Sequence, residues 1–302
     1  LAKLGASYIS ADAGGSGSGA CSNGEIKDIA IVSPWYAAQP ATKEVIDAFE
    51  KDAKAAGFNV TKVDTNNDLA AVNGEIENAV AQGADAVVLG MGDPQEFGAG
   101  LAATIAKNVP VIGLDAGVVD GVTANVASDN AFLGEISAQQ IIDNIPAGGK
   151  VIMLHFDPFE PVRLRDAAAK ALFEANGIQI IEYIQGDAAD STGFAKATVQ
   201  DLLSKYPKGE VDAIWAGWDA TALGAFQATQ ETGRTEVLVT GVDGQDFAVT
   251  EVAKGENWIA TVRQDWPSIA AKAVEAISDC SKGTAPTSQL LTVPGLLITK
   301  DS

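Results

Sequence analysis

Two aspartates close two of the most apolar runs in the chain. Asp243 follows Val237-Leu238-Val239-Thr240-Gly241-Val242, and Asp115 follows Val111-Ile112-Gly113-Leu114. A short β-branched run without polar alternation reads as a strand buried on both faces of a parallel sheet. The carboxylate that ends it then lies at the carboxyl edge of that sheet, where open α/β sheets bind ligands. Gly241 and Gly244 permit the tight turn such an edge needs. Carboxylates placed there accept hydrogen bonds from hydroxyl or amide groups. Two such strand ends, far apart in sequence, predict two sheets facing one cleft; the alternative for each aspartate is to cap the helix that follows it.

The single histidine, His155, heads the stretch His155-Phe156-Asp157-Pro158-Phe159-Glu160. One imidazole beside two carboxylates falls short of the three or four ligands that hold a metal. His155 is therefore assigned a hydrogen bond to a ligand, with a structural role as the alternative. Gly90-x-Gly92 lacks the third glycine of a dinucleotide loop, and no Cys-x-x-Cys is present. The residues call for no cofactor and no metal, and nothing compels an enzyme.

The elements that must position these groups alternate with regularity. Ile29–Val32 reads as a strand, and Pro40–Ala56 as a helix with apolar Val45, Ile46, Phe49 and Ala53 on one face and Gly57 as its stop. The unit repeats: strands at Asn59–Val63, Ala86–Leu89 and Val109–Leu114, helices at Leu69–Gln82 and Phe97–Lys107. A second series opens near Asn130, with helices at Phe132–Asn144, Arg163–Ala175, Thr192–Ser204 and Ala220–Thr232, and strands at Lys150–Leu154, Ile178–Tyr183 and Ala213–Ala216. Strands and helices alternating over short connections predict an α/β protein with parallel, doubly wound sheets. After Ile259–Val262 come a surplus helix, Pro267–Ser278, and an apolar tail, Leu290–Thr299.

Composition bounds the function. A chain of 302 residues suits about two domains. The formal charge of −20, from 40 acidic against 20 basic residues, repels phosphates and argues against nucleic acid. No apolar run reaches the roughly 18 residues of a membrane span. Ala13–Ala20 is almost wholly Gly, Ser and Ala, so residues 1–24 read as a flexible tether. That tract precedes Cys21. With Cys280 as the only other cysteine, a disulfide, two free thiols and a lipid anchor at Cys21 all stay open. The first and third suit an extracytoplasmic address.

Ser33 after the first strand, Gln82-Gly83-Ala84-Asp85-Ala86-Val87-Val88, Val109-Pro110-Val111-Ile112-Gly113-Leu114-Asp115, Ala127-Ser128-Asp129-Asn130, Trp218-Asp219-Ala220-Thr221-Ala222-Leu223-Gly224-Ala225 and Thr240-Gly241-Val242-Asp243-Gly244 occur in that order. From about Asp28 onward this succession resembles the type I periplasmic sugar-binding proteins of the ribose and galactose group. The resemblance implies two doubly wound parallel-sheet lobes joined by a hinge of three crossings, near Ser128, Gln264 and Leu291. Lobe 1 is then 25–128 plus 265–290, and lobe 2 is 129–264 plus 291–302. By position, Asp115, Arg163, Asp243 and Gln264 match residues that bind sugar hydroxyls in the family, with Arg165 as the rival of Arg163. Trp218 stands where the family commonly has Asn, and Ala116 where ribose binders carry a second Arg. Gln39-Pro40-Ala41-Thr42 replaces an Asn-Pro-aromatic-aromatic run, while Trp35 and Tyr36 lie upstream. Trp35 and Trp218 are therefore expected as aromatic walls with Tyr36 in support, core packing being the alternative for each.

These departures turn the expectation from ribose toward a short sugar alcohol, a tetritol or a pentitol such as xylitol; a hexose or another pentose stays open. The implied partners are that small sugar or polyol and the membrane permease of an ABC transporter, served by an extracytoplasmic monomer, in the periplasm or at the cell-envelope surface, for which a lipid anchor stays open. Two other classes stand as alternatives: a carbohydrate-processing enzyme with Asp243 or Asp115 as base, and the sensor core of a lactose-repressor-type regulator. The regulator needs a DNA-binding helix pair ahead of the first strand, which the sequence does not show, and its charge would be wrong.

Overall fold

The computed structural model describes Cys21 and residues 24–302; the tether expected over 1–24 therefore lies almost wholly outside the described residues. Strand β1 (Asp28–Ser33) leads to α1 (Pro40–Ala55), β2 (Asn59–Asp64), α2 (Leu69–Ala81), β3 (Ala86–Gly90), α3 (Gly98–Ala106), β4 (Val111–Leu114) and β5 (Ala124–Ser128). The last of these is a short buried strand that the sequence reading did not separate from the boundary at Ser128. The second series runs α4 (Asn130–Ile142), β6 (Lys150–His155), α5 (Glu160–Ala175), β7 (Gln179–Gln185), α6 (Ser191–Lys205), β8 (Ala213–Ala216), α7 (Asp219–Glu231), β9 (Leu238–Thr240), α8 (Asp246–Ala253) and β10 (Trp258–Arg263). The chain closes with α9 (Trp266–Ser281), β11 (Leu290–Val293) and β12 (Leu296–Thr299).

These strands form two six-stranded sheets, in the orders β11-β5-β4-β3-β1-β2 and β12-β10-β9-β8-β6-β7. All pairings are parallel except β12 against β10. The fold is thus two doubly wound α/β lobes. The strand pleat sorts the cores. On β6, Val151 and Met153 meet Ile141 of α4 and Phe173 of α5, while Ile152 and Leu154 meet Val199 of α6 and Ala222 of α7. Both faces of the sheet are covered, which is why its central strands carry no polar alternation. In the first lobe α9 shares a core with α1, burying Trp266, Ile269 and Ile277 against Val45, Ile46 and Phe49.

The chain crosses between lobes at Ser128–Asn130, at Arg263–Trp266 and at Val293–Leu296. The third crossing falls later than the expected Leu291, because β11 first extends the lobe 1 sheet by pairing with β5. Only β12 joins lobe 2. Several acidic residues have local work: Asp68, Asp129, Asp190 and Asp265 each accept a backbone N–H at a helix start. Asp115 and Asp243 do not: no helix begins at Asp115, and α8 begins after Gln245.

Cys21 and Cys280 form a disulfide. It ties the segment before β1 to the end of α9, and it takes up the thiol that lipidation at Cys21 would need. A crosslink that closes most of the chain removes much unfolded-state entropy. Reduction, or Cys280→Ser, should lower the unfolding free energy by about 2–5 kcal/mol in denaturant titrations. Thiol counting on unreduced, denatured protein should find none; two reactive thiols would contradict the pairing.

Candidate functional site

The carboxyl ends of β1, β3 and β4 in lobe 1 face those of β6, β8 and β9 in lobe 2, and residues from both lobes line the cavity between them. Three of its residues hold left-handed backbone without being glycine: Met91 (φ 60°), Asp115 (φ 47°) and Asp243 (φ 122°). Such conformations cost on the order of 1–3 kcal/mol each and gather at functional sites. Here they turn the chain sharply at a strand end and aim the side chain into the cleft.

Asp115 is fully buried; Asn130 Nδ2 donates to its Oδ1 at 2.9 Å, and Arg165 Nη2 stands 3.3 Å from its Oδ2. Arg165, itself 2% exposed, also sends Nη1 to Asp243 Oδ1 at 3.3 Å and to the Gly217 carbonyl at 3.1 Å, and Nε to Asn130 Oδ1 at 2.7 Å. One guanidinium on a lobe 2 helix therefore joins a lobe 1 carboxylate to a lobe 2 carboxylate. Gly134 of α4 makes this placement possible: a Cβ there would stand 2.0 Å from the Arg165 carbonyl oxygen, so only glycine lets α4 and α5 approach this closely.

Asp243 is held from behind. Gln264 Nε2 donates to its Oδ1 at 2.9 Å, and its own N–H bonds to the Val262 carbonyl at 2.9 Å. The turn around it is fastened by Asp219, buried beneath, which accepts from Gln245 N–H at 2.9 Å and from Thr261 Oγ1 at 2.7 Å. Glycine at 241 leaves room for that carboxyl group, since a Cβ would lie 2.3 Å from Asp219 Oδ1.

Burial raises the pKa of all three carboxyl groups. For Asp115 the Arg165 charge and the Asn130 bond pull back against it. Asp219 is pushed well above the ordinary value, by burial and then by the Asp243 charge. Asp243 rises to about 6, burial outweighing the Arg165 charge and the Gln264 bond, with Asp115 adding to the rise. Two carboxyl groups on one guanidinium, with a third beneath the Asp243 turn, make a site rich in acceptors and poor in donors.

The other wall is aromatic. Trp35 of lobe 1 meets Phe156 and Phe159 of lobe 2 edge-on, with ring centroids 5.8 and 5.2 Å apart, and Phe156 meets Trp218 at 5.7 Å. Ser33 Oγ bonds the Gly90 carbonyl at 2.7 Å and accepts the Trp35 N–H at 3.2 Å, which fixes where Trp35 leaves β1.

Of the residues singled out from sequence, the structure brings Trp35, Asp115, Trp218 and Asp243 to the cavity and sets Gln264 directly behind Asp243. It does not bring Arg163, His155 or Tyr36 there. Positions two apart on a helix point about 200° apart, so Arg165 faces the cleft and Arg163 turns to the rim, where its Nη2 pairs with Asp93 Oδ2 of the other lobe at 2.6 Å. His155 lies over the edge strand β7: its ring stacks on Tyr183 at 3.8 Å, and its Nδ1 is 3.0 Å from Asp157 Oδ1. The Tyr36 hydroxyl donates to Asp47 of α1 at 2.7 Å and lies 3.0 Å from Lys62 Nζ, on the outer side of lobe 1. Sequence reading missed Asn130, Asp219, Phe156 and Phe159 as site residues, and held Arg165 only as a rival. The two phenylalanines carried a local signal, a Phe-x-x-Phe spacing right after an apolar strand; the other three show their roles only through contacts distant in sequence.

Comparison with known proteins gives an independent view. Residues 29–285 match the family described as periplasmic binding protein domain. The ribose import binding protein of Bacillus subtilis (strain 168) is 30% identical over 235 residues, 78% of this chain and 75% of that protein. A xylitol-binding protein of Mycolicibacterium smegmatis is 23% identical over 220 residues, 71% of this chain and 60% of its own. Among solved structures, an ABC transporter solute-binding protein from Agrobacterium vitis with bound allitol superimposes with a TM-score of 0.84 at 25% identity, covering 91% of this chain and 96% of the other.

The raised Asp243 carboxyl predicts a pH effect of definite sign. The folded state keeps a proton that the unfolded chain, with an ordinary value of 3.8, has released. Ligand-free protein should therefore lose stability from this group as pH rises from about 4 through 6. Asp243→Asn should remove that part of the slope and leave the ligand-free protein more stable at pH 7, measured by denaturant unfolding at pH 5 and pH 7. A less stable variant at pH 7 would mean that the carboxylate acts chiefly as Arg165's counter-ion.

Proposed function

The chain belongs to the periplasmic binding protein family of sugar ABC-transporter solute-binding proteins, and from that premise we propose that it captures a monosaccharide or a short sugar alcohol, of tetritol or pentitol size, between its lobes. The family works outside the cytoplasm, its members bind small sugars and deliver them to a membrane permease, and its relatives are solute-binding proteins rather than enzymes. The finer reading rests on one observation: Arg165 lies between Asp115 of lobe 1 and Asp243 of lobe 2, on a cavity whose opposite wall is aromatic. Carboxylates and a guanidinium bind hydroxyls through charge-assisted hydrogen bonds, and flat rings cover C–H surface. The resemblance of the chain to proteins whose names include xylitol and allitol supports a polyol.

A ligand that bonds to Asp115 and Asp243 at once contacts both lobes, so it binds the closed arrangement better than an open one. That difference in affinity is what shifts the lobes toward closure. Binding and release are then the whole activity, carried out by a monomer in the periplasm or at the cell-envelope surface. The disulfide fits that oxidising address.

Calorimetric titration and thermal shift against a panel of pentoses, hexoses, tetritols and pentitols test this reading. At least one should bind, and Arg165→Met should weaken it about 10- to 100-fold, in line with the loss of a charged hydrogen-bonding partner. Asp243→Ala should abolish the ligand-induced rise in melting temperature. Arg163→Met should leave affinity within about threefold, since a partly exposed rim ion pair contributes little. No binding by any member would refute the proposal.

A further inference from the structure

The cavity is one-sided. Its charged side chains, Asp115, Asp243 and Arg165, meet in one cluster, while the polar Gln39 and Thr42 stand elsewhere on the wall. Behind Asp243, Gln264 Oε1 is buried and has no hydrogen-bond partner among the described residues. Elsewhere on the wall the donors are already committed. Gln39 Nε2 donates to the Ala188 carbonyl and to Ser191 Oγ, Trp218 Nε1 donates to the same Ser191 Oγ at 3.2 Å, and Thr42 Oγ1 donates to Met91 Sδ at 3.0 Å. Apart from the Gln39 amide oxygen, what remains there is chiefly the ring surface of Trp35, Phe156, Phe159 and Trp218.

A fully hydroxylated sugar or alditol carries a hydroxyl on nearly every carbon. With one end of such a molecule seated on the two aspartates, the hydroxyls at its other end lie against aromatic carbon. A hydroxyl buried there without a partner is penalised, whereas a C–H or methyl group in the same place gains from leaving water. We propose that the ligand is a small amphipathic sugar: adjacent hydroxyls at one end, donated to Asp115 and Asp243, and a deoxygenated or alkyl-capped other end packed among the four rings. This deepens, and rests on, the reading of the chain as a sugar or polyol binder. It assigns the four aromatic side chains the role of selecting against a terminal hydroxyl.

The test is a set of matched pairs titrated calorimetrically under one condition: D-ribose, D-xylose and L-arabinose with their 5-deoxy forms, and D-galactose and L-mannose with 6-deoxy-D-galactose and L-rhamnose. In the stereochemical series that binds best, the deoxy member should bind at least about tenfold more tightly than its parent. Trp218→Asn, which places an amide on the aromatic wall, should narrow or reverse that preference while the folded melting transition is kept. Equal or tighter binding by the hydroxylated parent would overturn this inference and leave the sugar-binding reading standing. If neither parents nor deoxy sugars bind, and the alditols fail as well, both fall together.

Discussion

One guanidinium buried between two carboxylates is the contact on which the rest of this structure turns. Arg165 touches Asp115 across the cleft and Asp243 on its own lobe, at 3.3 Å each, and is almost wholly shielded from water. Buried charges are tolerated only when paired and hydrogen-bonded. Here the pairing is incomplete by design of the residue set: one cation faces two ionisable acids, and a third, Asp219, sits just below. Burial raises all three above their ordinary range, the signature of carboxyl groups kept short of solvation. A hydroxyl-bearing ligand supplies donors that this cluster lacks.

The surroundings are built to tolerate that cluster. Asn130 stands at the first crossing and binds both Asp115 and Arg165, so the hinge and the site share a residue. Gln264 does the same at the second crossing. The site thus shares side chains with the places where the backbone passes from one lobe to the other. Left-handed turns at Asp115 and Asp243 add strain that the two well-packed sheets can hold in place.

The rim has its own contacts. Arg163 with Asp93, Glu160 with Gln95, and Glu44 with Gln245 each join opposite lobes outside the cavity. Most of these groups are only partly buried, so each contributes little by itself. They set the register in which the two halves meet, and they leave discrimination to the interior, where donors and acceptors are desolvated and an unmatched one is costly.

The sequence by itself determined the local architecture. Apolar runs without alternation, helix stops at glycine and short connections required two parallel doubly wound sheets, and the aspartates ending Val111–Leu114 and Val237–Val242 were legible as strand-end groups because each depends on its neighbours in the chain. The sequence could also offer Trp35 and Trp218 as departures from a familiar pattern. Tertiary structure decided what depends on direction and on distant partners. Arg163 and Arg165 are equivalent on paper, yet the helix sends them to opposite sides, and the close approach over Gly134 chooses Arg165. His155 ends its strand as the aspartates end theirs, but its ring falls on Tyr183 of an edge strand. The joining of Cys21 to Cys280, and the fact that β11 stays with lobe 1 while β12 leaves it, depend on which chain segments meet in space. Periodicity reports which face of an element is buried; only packing reports what it is buried against.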